Sequence, residues 1–295
     1  RVIINENGFV GINTIHPGQF LDIHGKINLQ SSTSKINMYI SNNSNPDPSN
    51  VGTNNIGIGA YVFSNQDFNS SHNIALGHSS LKNVTTGYSN ISIGTSSLIK
   101  TTTGKHNVAM GNSTLANITN GDYNLAIGND TLKTISSGSN NIAIGTSSNS
   151  ASSSSDSNIS IGNLSAQNIN GHTNNLIGTN SGINLIGSYN SGFGHYSFSN
   201  CKGDYNVALG YQCLKNSQTI SNTRYSKNIF VGSYDNGGQL MVGNLNTGVG
   251  YNTQLSSSND FNVSVGSYSL QNNSGFGNTA VGYQSNIKNS GSNNV

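Results

Sequence analysis

Asn73-Ile74-Ala75-Leu76-Gly77-His78-Ser79-Ser80-Leu81-Lys82-Asn83-Val84-Thr85-Thr86-Gly87-Tyr88-Ser89 is one unit of a repeat that decides the architecture. An Asn followed four residues later by Gly recurs at Asn55, Asn73, Asn90, Asn107, Asn124, Asn141, Asn158, Asn174, Asn190, Asn206, Asn228, Asn246, Asn262 and Asn278, and Asn294 opens a further unit. The spacing is 18, then 17 five times, 16 three times, 22, 18, and 16 three times. A fixed period of this size marks a stacked repeat protein.

Within a unit, Ile74 and Leu76 flank the small Ala75, the period-two pattern of a strand with two differently crowded faces, and both faces are expected to be buried. Gly77 ends that strand at an expected positive φ, and a small residue follows three places on, as at Ser80, Ser97, Thr114 and Ser148. Leu81, Leu98, Leu115 and Leu132 then anchor a second strand-sized segment. A second turn Gly stands at Gly87, Gly104, Gly121 and Gly138 in the 17-residue units, and one place earlier, at Gly171, Gly203 and Gly275, in the 16-residue units.

Asn, Ser, Gly and β-branched residues oppose helix, and helical repeats need longer units. The expected fold is therefore all-β, a parallel β-solenoid or β-roll with one 16–17-residue repeat per coil: 14 complete coils and the start of another. At ~4.8 Å per coil the rod is about 65–70 Å long. Stacking places each repeat Asn above the next, so Asn73, Asn107, Asn141, Asn206 and Asn278 are expected to form an amide ladder, with Gly77, Gly111, Gly145, Gly210 and Gly282 at the turns. So thin a coil buries little apolar area, so a second burial surface between chains is expected, and a closely packed homotrimer supplies it.

The motif Asn-x-Ala-x-Gly-x-x-Ser, present as Asn73/Ala75/Gly77/Ser80, Asn141/Ala143/Gly145/Ser148 and Asn278/Ala280/Gly282/Ser285, resembles the head repeat of YadA-like trimeric autotransporter adhesins. The longer stretches Asn206 to Asn216 and Asn278 to Ser285 resemble repeats of phage tail-fibre-like and bacterial surface proteins. Upstream, Val10-Gly11-Ile12-Asn13-Thr14, Pro17, Leu21-Asp22-Ile23 and Gly25 are similar to an element that often precedes such repeats in fibres, although Asn13 stands where that element has Gly. The division that follows is a connector over residues 1–50 and a repeat domain over 51–295. Asn175, Ile183 to Ile186, Gln239 to Gly243 and Thr247 depart from the head-repeat pattern, and their coils are expected to be distorted. The resemblance implies a trimeric rod outside the cell, on a virion or a cell-surface appendage.

Composition narrows the function. Of 295 residues, 12 are Lys or Arg and 10 are Asp or Glu, so 7% are charged and the net charge is +2. That offers no basic stripe for nucleic acid. No run approaches the ~18 apolar residues of a membrane helix, so no membrane insertion by this region is expected. The chain opens at Arg1 without a charged-then-apolar leader, as expected of a processed product or an excised piece. His72, His78, His106, His172 and His195 fall at different repeat positions and make no ligand ladder, so neither a metal nor any other cofactor is expected. Asp122 and Asp204, each in Gly-Asp-Tyr-Asn, suit a turn role, and no nucleophile elbow stands out, so the chain is read as non-enzymatic. Cys213 takes the place of the small Ser, a packing role, and a disulfide with Cys201 in the preceding turn is left open.

Loops on a rigid repeat are where binding groups usually sit. Three irregular stretches carry them: Tyr61 to Phe68, with Tyr61, Phe63, Asp67 and Phe68; Ser217 to Lys227, with Arg224, Tyr225 and Lys227; and Tyr234 to Met241, opened by Tyr234. Aromatic residues beside a charge suit contact with a host-surface receptor or glycan, and they equally suit capping of the rod. The reading is a structural and adhesive fibre, a rigid trimeric rod presenting loops for attachment. The alternatives are the head of a bacterial trimeric autotransporter adhesin and an ice- or surface-binding solenoid. The second needs a regular Thr ladder, whereas the positions after Gly vary among His, Thr, Asn, Ser and Tyr.

Overall fold

A computed structural model describes residues 2–6, 10–12, 21–23, 37–41, 52–65, 69–150, 155–216, 225–232, 243–253, 260–271, 274–286, 288 and 290–295, with backbone alone at 21–23 and 225–226. The chain divides into two units, Arg1–Ile36 and Asn37–Val295. In the first, Val2–Ile4 pairs antiparallel with Val10–Ile12, which pairs parallel with Leu21–Ile23. The Val-Gly-Ile and Leu-Asp-Ile runs of the connector motif are thus neighbouring strands; Asn13, Thr14, Pro17 and Gly25 lie outside the described residues.

The second unit is an all-β parallel solenoid without helix among the described residues. Its strands form one 15-stranded sheet from Met38–Ile40 to Thr279–Val281. Register is kept coil after coil: Ile74, Ala75 and Leu76 face Ile91, Ser92 and Ile93, which face Val108, Ala109 and Met110. The sheet starts before residue 51, because Asn37-Met38-Tyr39-Ile40 already forms a rung and the Asn55 N–H donates to Asn37 Oδ1 at 2.8 Å. That rung has Ser41 where later coils have Gly, so the Asn-to-Gly rule does not find it. Asn175 and Thr247 do not distort their coils: both lie in regular three-residue strands in parallel register, at an outward position that tolerates a polar side chain.

The second segment of each unit is a chain of turns rather than a strand. Residues two and four places after the turn Gly are left-handed, as at Ser79 (φ 56) and Leu81 (φ 47), Ser113 and Leu115 (φ 51 each), and Asn180 (φ 57) and Gly182 (φ 69). Their amides point to opposite neighbours: Ser79 N–H donates to Ala60 O of the preceding coil and Leu81 N–H to Ser97 O of the next. The coils thus stay hydrogen-bonded to one another with no second sheet among the described residues beyond the two-residue pairing of Gly203–Asp204 with Tyr225–Ser226. In the 16-residue units a further left-handed residue appears six places after the Gly, at Asn168, Asn184 and Asn200, absorbing the missing residue, and the 22-residue unit has the same feature at Asn216. Asn is among the few side chains that favour this region. Here it also forms an exposed ladder, Nδ2 to Oδ1 at 2.9, 2.8 and 3.0 Å.

Only the middle residue of each strand faces inward. Ala75, Ala109, Ala126 and Ala143 are fully buried against Leu81, Leu98, Leu115 and Leu132, with Val84, Ile118 and Ile135 completing the layer. The flanking Ile, Leu and Val point outward and are partly exposed, so the strand is not buried on both faces. Volume is balanced coil by coil. Leu176 replaces the strand Ala where Gly182 replaces the Leu, and a Cβ on Gly182 would lie 2.4 Å from Leu176 Cδ1. Conversely, Gly192 makes room for Phe198, and a Cβ on Gly192 would lie 2.7 Å from its ring.

The Asn ladder runs without a break from Asn37 to Asn294. Each backbone N–H donates to the Oδ1 of the Asn one coil before at 2.8–3.0 Å. Even the 22-residue unit keeps it, with Asn228 N–H on Asn206 Oδ1 at 3.0 Å. The Nδ2 donates to the carbonyl of the second turn Gly, as from Asn107 to Gly121 O and from Asn124 to Gly138 O, each at 2.8 Å. Gly77, Gly111, Gly145, Gly210 and Gly282 all have positive φ, from 122° to 137°.

Candidate functional site

A rigid rod offers three kinds of surface, its inserted loops, its corners and its sheet face, and the structure sorts the sequence candidates among them. Phe63 is not a surface residue. It is fully buried in the Leu position of its coil, because Gly57 in the strand leaves room for the ring, and it packs edge-on against Tyr39 at 5.9 Å. Tyr61 is 38% exposed at the corner, but its ring contacts His78 at 5.4 Å and lies under Lys82 Nζ at 5.5 Å. Lys227 is exposed and left-handed (φ 61), its N–H bonded to Asp204 O. It occupies the regular place before a ladder Asn that Tyr205 and Leu245 fill in neighbouring coils, so it belongs to the coil rather than to the inserted loop. Tyr225 starts the two-residue strand that pairs with Gly203–Asp204, so the chain rejoins the rod there. Asp67, Phe68, Arg224 and Tyr234 lie outside the described residues.

The acidic residues have a structural task. Asp122 Oδ1 accepts the Lys105 N–H at 2.9 Å, Asp156 that of Ser139 at 2.7 Å, Asp204 that of Ser188 at 2.9 Å and Asp260 that of Asn244 at 2.6 Å. Every one sits two places before a ladder Asn, and Ser71, Ser139 and Ser188 do the same job with a hydroxyl. His172 joins this column, its Nδ1 bonded to the Asp156 N–H at 3.1 Å. Among the described residues no three His, Cys, Asp or Glu are grouped as a metal site.

Cys201 and Cys213 are both buried and are not joined by a disulfide. Burial, then the neighbouring Cys201, raises the Cys213 thiol from 9.0 to about 12, against a lowering bond from the Leu209 backbone. A neutral, enclosed thiol is a poor nucleophile. Ellman's reagent at mildly alkaline pH is therefore expected to leave the native rod unmodified and to titrate two thiols per chain once guanidinium unfolds it. Since the folded thiol holds its proton to higher pH than the unfolded one, its contribution to stability is complete below about pH 9 and declines above it.

The face that the sequence reading missed is the outer side of the long sheet. In all fourteen strands from Ile56–Ile58 to Thr279–Val281 the third residue is Ile, Leu, Met, Phe or Val, and no strand of this sheet holds a charged residue. Phe193 is 41% exposed, Ile229 45% and Val281 69%. At ~4.8 Å per rung, with two side-chain columns about 7 Å apart, this strip covers roughly 450 Å², its first column interrupted by Asn175, Ser191, Thr247 and Thr279. A typical monomer's largest apolar patch is about 300–600 Å². The signal was present in the sequence, since the large residues of Ile-Ala-Leu must share one side; which side could not be read without the width of the interior.

No family model and no curated protein matches this chain.

Proposed function

We propose that this protein is a non-enzymatic fibre: a homotrimeric rod on a virion or cell surface that holds binding groups away from its anchor for attachment to a host receptor or glycan. One observation carries the reading. The amide ladder and the backbone bonds tie each coil to its neighbours within the chain, while an uncharged strip of outward Ile, Leu, Met, Phe and Val side chains follows the sheet along the rod, partly exposed among the described residues. A stable interface takes about 800 Å² per partner, and a threefold axis sets the roughly 450 Å² strip of each chain against two neighbours at once. The likeness of Asn-x-Ala-x-Gly-x-x-Ser to trimeric adhesin heads, and of residues 10–25 to the fibre connector, supports the same reading. Low charge suits a stacked rod, because like charges one coil apart repel.

Sedimentation equilibrium at micromolar concentration tests the assembly. The expected mass is three times the 30.8 kDa of one chain, and a single-chain mass overturns the trimer. For attachment, removing residues 217–224 is expected to weaken adsorption of labelled rods to host cells severalfold with the melting midpoint unchanged. Undiminished adsorption takes that loop out of the attachment site.

A further inference from the structure

The corner just after the turn Gly changes character along the rod. From Gly94 to Gly178 its first two residues are small or polar with one Leu, as in Thr95-Ser96, Asn112-Ser113 and Asn163-Leu164. From Gly194 onward every described coil that shows this corner carries a tyrosine there: Tyr196, Tyr211, Tyr251, Tyr268 and Tyr283. The coil does not require them, since the earlier corners adopt the same left-handed geometry with Ser or Asn. Tyr196 (φ 58) and Tyr268 (φ 60) even place a bulky residue in a conformation that disfavours it. Wherever the tyrosine comes first, an amide follows: Tyr211-Gln212, Tyr251-Asn252 and Tyr283-Gln284.

Tyr251 and Tyr268 meet edge to face at 5.3 Å and 72°, and Tyr268 and Tyr283 at 6.1 Å and 90°, so each contact takes one ring face and leaves the other. Tyr211 is 47% and Tyr283 71% exposed. By contrast, Tyr189 and Tyr205 at the opposite corner stack face to face at 4.7 Å and 4°, spending their faces on each other. Lys215 lies over Tyr196 at 5.1 Å, and His195 packs against Tyr196 at 4.3 Å and stacks on Tyr211 at 5.6 Å, so the most open rings are those of the last three coils. Open aromatic faces take the C–H faces of pyranose rings, and the carboxamides of Gln212 and Gln284, which both donate and accept, match sugar hydroxyls, whereas the Asn252 Oδ1 is buried. The coil rise of ~4.8 Å is close to the advance of one sugar in an extended β-linked chain.

We propose that this tyrosine-amide corner binds a neutral β-linked polysaccharide laid along the rod, roughly one sugar per coil. The proposal rests on the attachment reading and names its ligand class. Affinity electrophoresis of the full chain through hydroxyethyl cellulose, with cellohexaose calorimetry beside it, tests it. Retardation of the native rod is expected, together with at least a tenfold loss of affinity in Tyr251→Ala/Tyr268→Ala/Tyr283→Ala and none in Asn112→Ala/Asn129→Ala. Should the triple variant fail to fold, Tyr283→Ala alone, at the most exposed ring, is expected to lose about threefold. A native rod that migrates freely through the glucan overturns the proposal, and adsorption of that rod to cells would leave the attachment reading standing. Retardation without adsorption would reject attachment instead. A change of sedimentation mass in the tyrosine variants would make the corner a subunit contact and also overturn the proposal.

Discussion

Asn124→Ala is expected to lower the unfolding free energy by about 4 kcal/mol, read as a fall in the urea midpoint. Four bonds vanish: Asn124 Nδ2 to Asn107 Oδ1 at 3.0 Å and to Gly138 O at 2.8 Å, and the donations to Asn124 Oδ1 from Asn141 N and Nδ2 at 3.0 Å each. A net value of ~1 kcal/mol per bond gives the estimate, and the side chain is fully buried, so water does not replace the lost partners in the folded state. Asn124→Asp is expected to be worse. One carboxylate oxygen could still accept from Asn141, but the other would face Asn107 Oδ1 and Gly138 O, and a buried charge would have no counterion. The exposed ladder supplies the control: Asn184→Ala removes bonds that solvent replaces, and is expected to cost less than about 1 kcal/mol. Hydrogen exchange should quicken in the coils next to Asn124 and stay unchanged near Asn206, because repeat proteins are coupled mainly to nearest neighbours. A loss below about 1 kcal/mol at Asn124 would show that the ladder does not hold the coils together.

The turn glycine is the stricter requirement of the two. Gly111 has φ 137°, a region essentially reserved for Gly, and a Cβ there would lie 2.2 Å from Gly128 O of the next coil. Side chain and strain act together at this position, whereas the ladder Asn loses bonds alone. That difference explains why the Asn-to-Gly spacing was so legible in the sequence: both ends of it are set by neighbours one coil away, and no other residue pair meets the two conditions. Strand position, period and the absence of helix followed from it. The rung at Asn37 escaped because Ser41 breaks the pairing rule while the amide ladder continues.

Less of the surface was legible. Phe63 read as an aromatic in an irregular stretch, yet it fills the Leu place, and Gly57 six residues earlier carries the compensation. The same six-residue trade, Leu176 with Gly182 and Gly192 with Phe198, is visible in the sequence once the interior is known to pair those positions. The left-handed corners were hidden for a different reason. Ser79, Leu81 and Tyr123 are ordinary residues in a conformation usually signalled by Gly or Asn, imposed by bonds to the coils on either side. Local propensity does not report a constraint that comes from the stack.

The largest change of all is expected from charge on the apolar strip. Ile127 and Ile144 are the third residues of adjacent strands, Leu125–Ile127 and Ile142–Ile144, and both point outward. In a lone chain an Asp at either place faces water, so Ile127→Asp/Ile144→Asp should fold with an unchanged β-type circular dichroism spectrum. In the proposed trimer the same two substitutions place six carboxylates around one axis without counterions. Desolvation alone costs several kcal/mol per ion, and like-charge repulsion adds to it. That exceeds what a contact of this size returns after the cost of association. Sedimentation equilibrium should therefore show the mass falling from three chains to one, with adsorption to cells lost through avidity. Ser136→Asp/Ser137→Asp, an equal charge on an exposed turn, should leave the mass at three chains. Lowering the pH toward 3 should reassemble the double variant, since protonation removes the charge while the rest of the strip stays apolar. A double variant that keeps the trimer mass at neutral pH would place the subunit contact elsewhere, and the uncovered strip would then have to face a different partner.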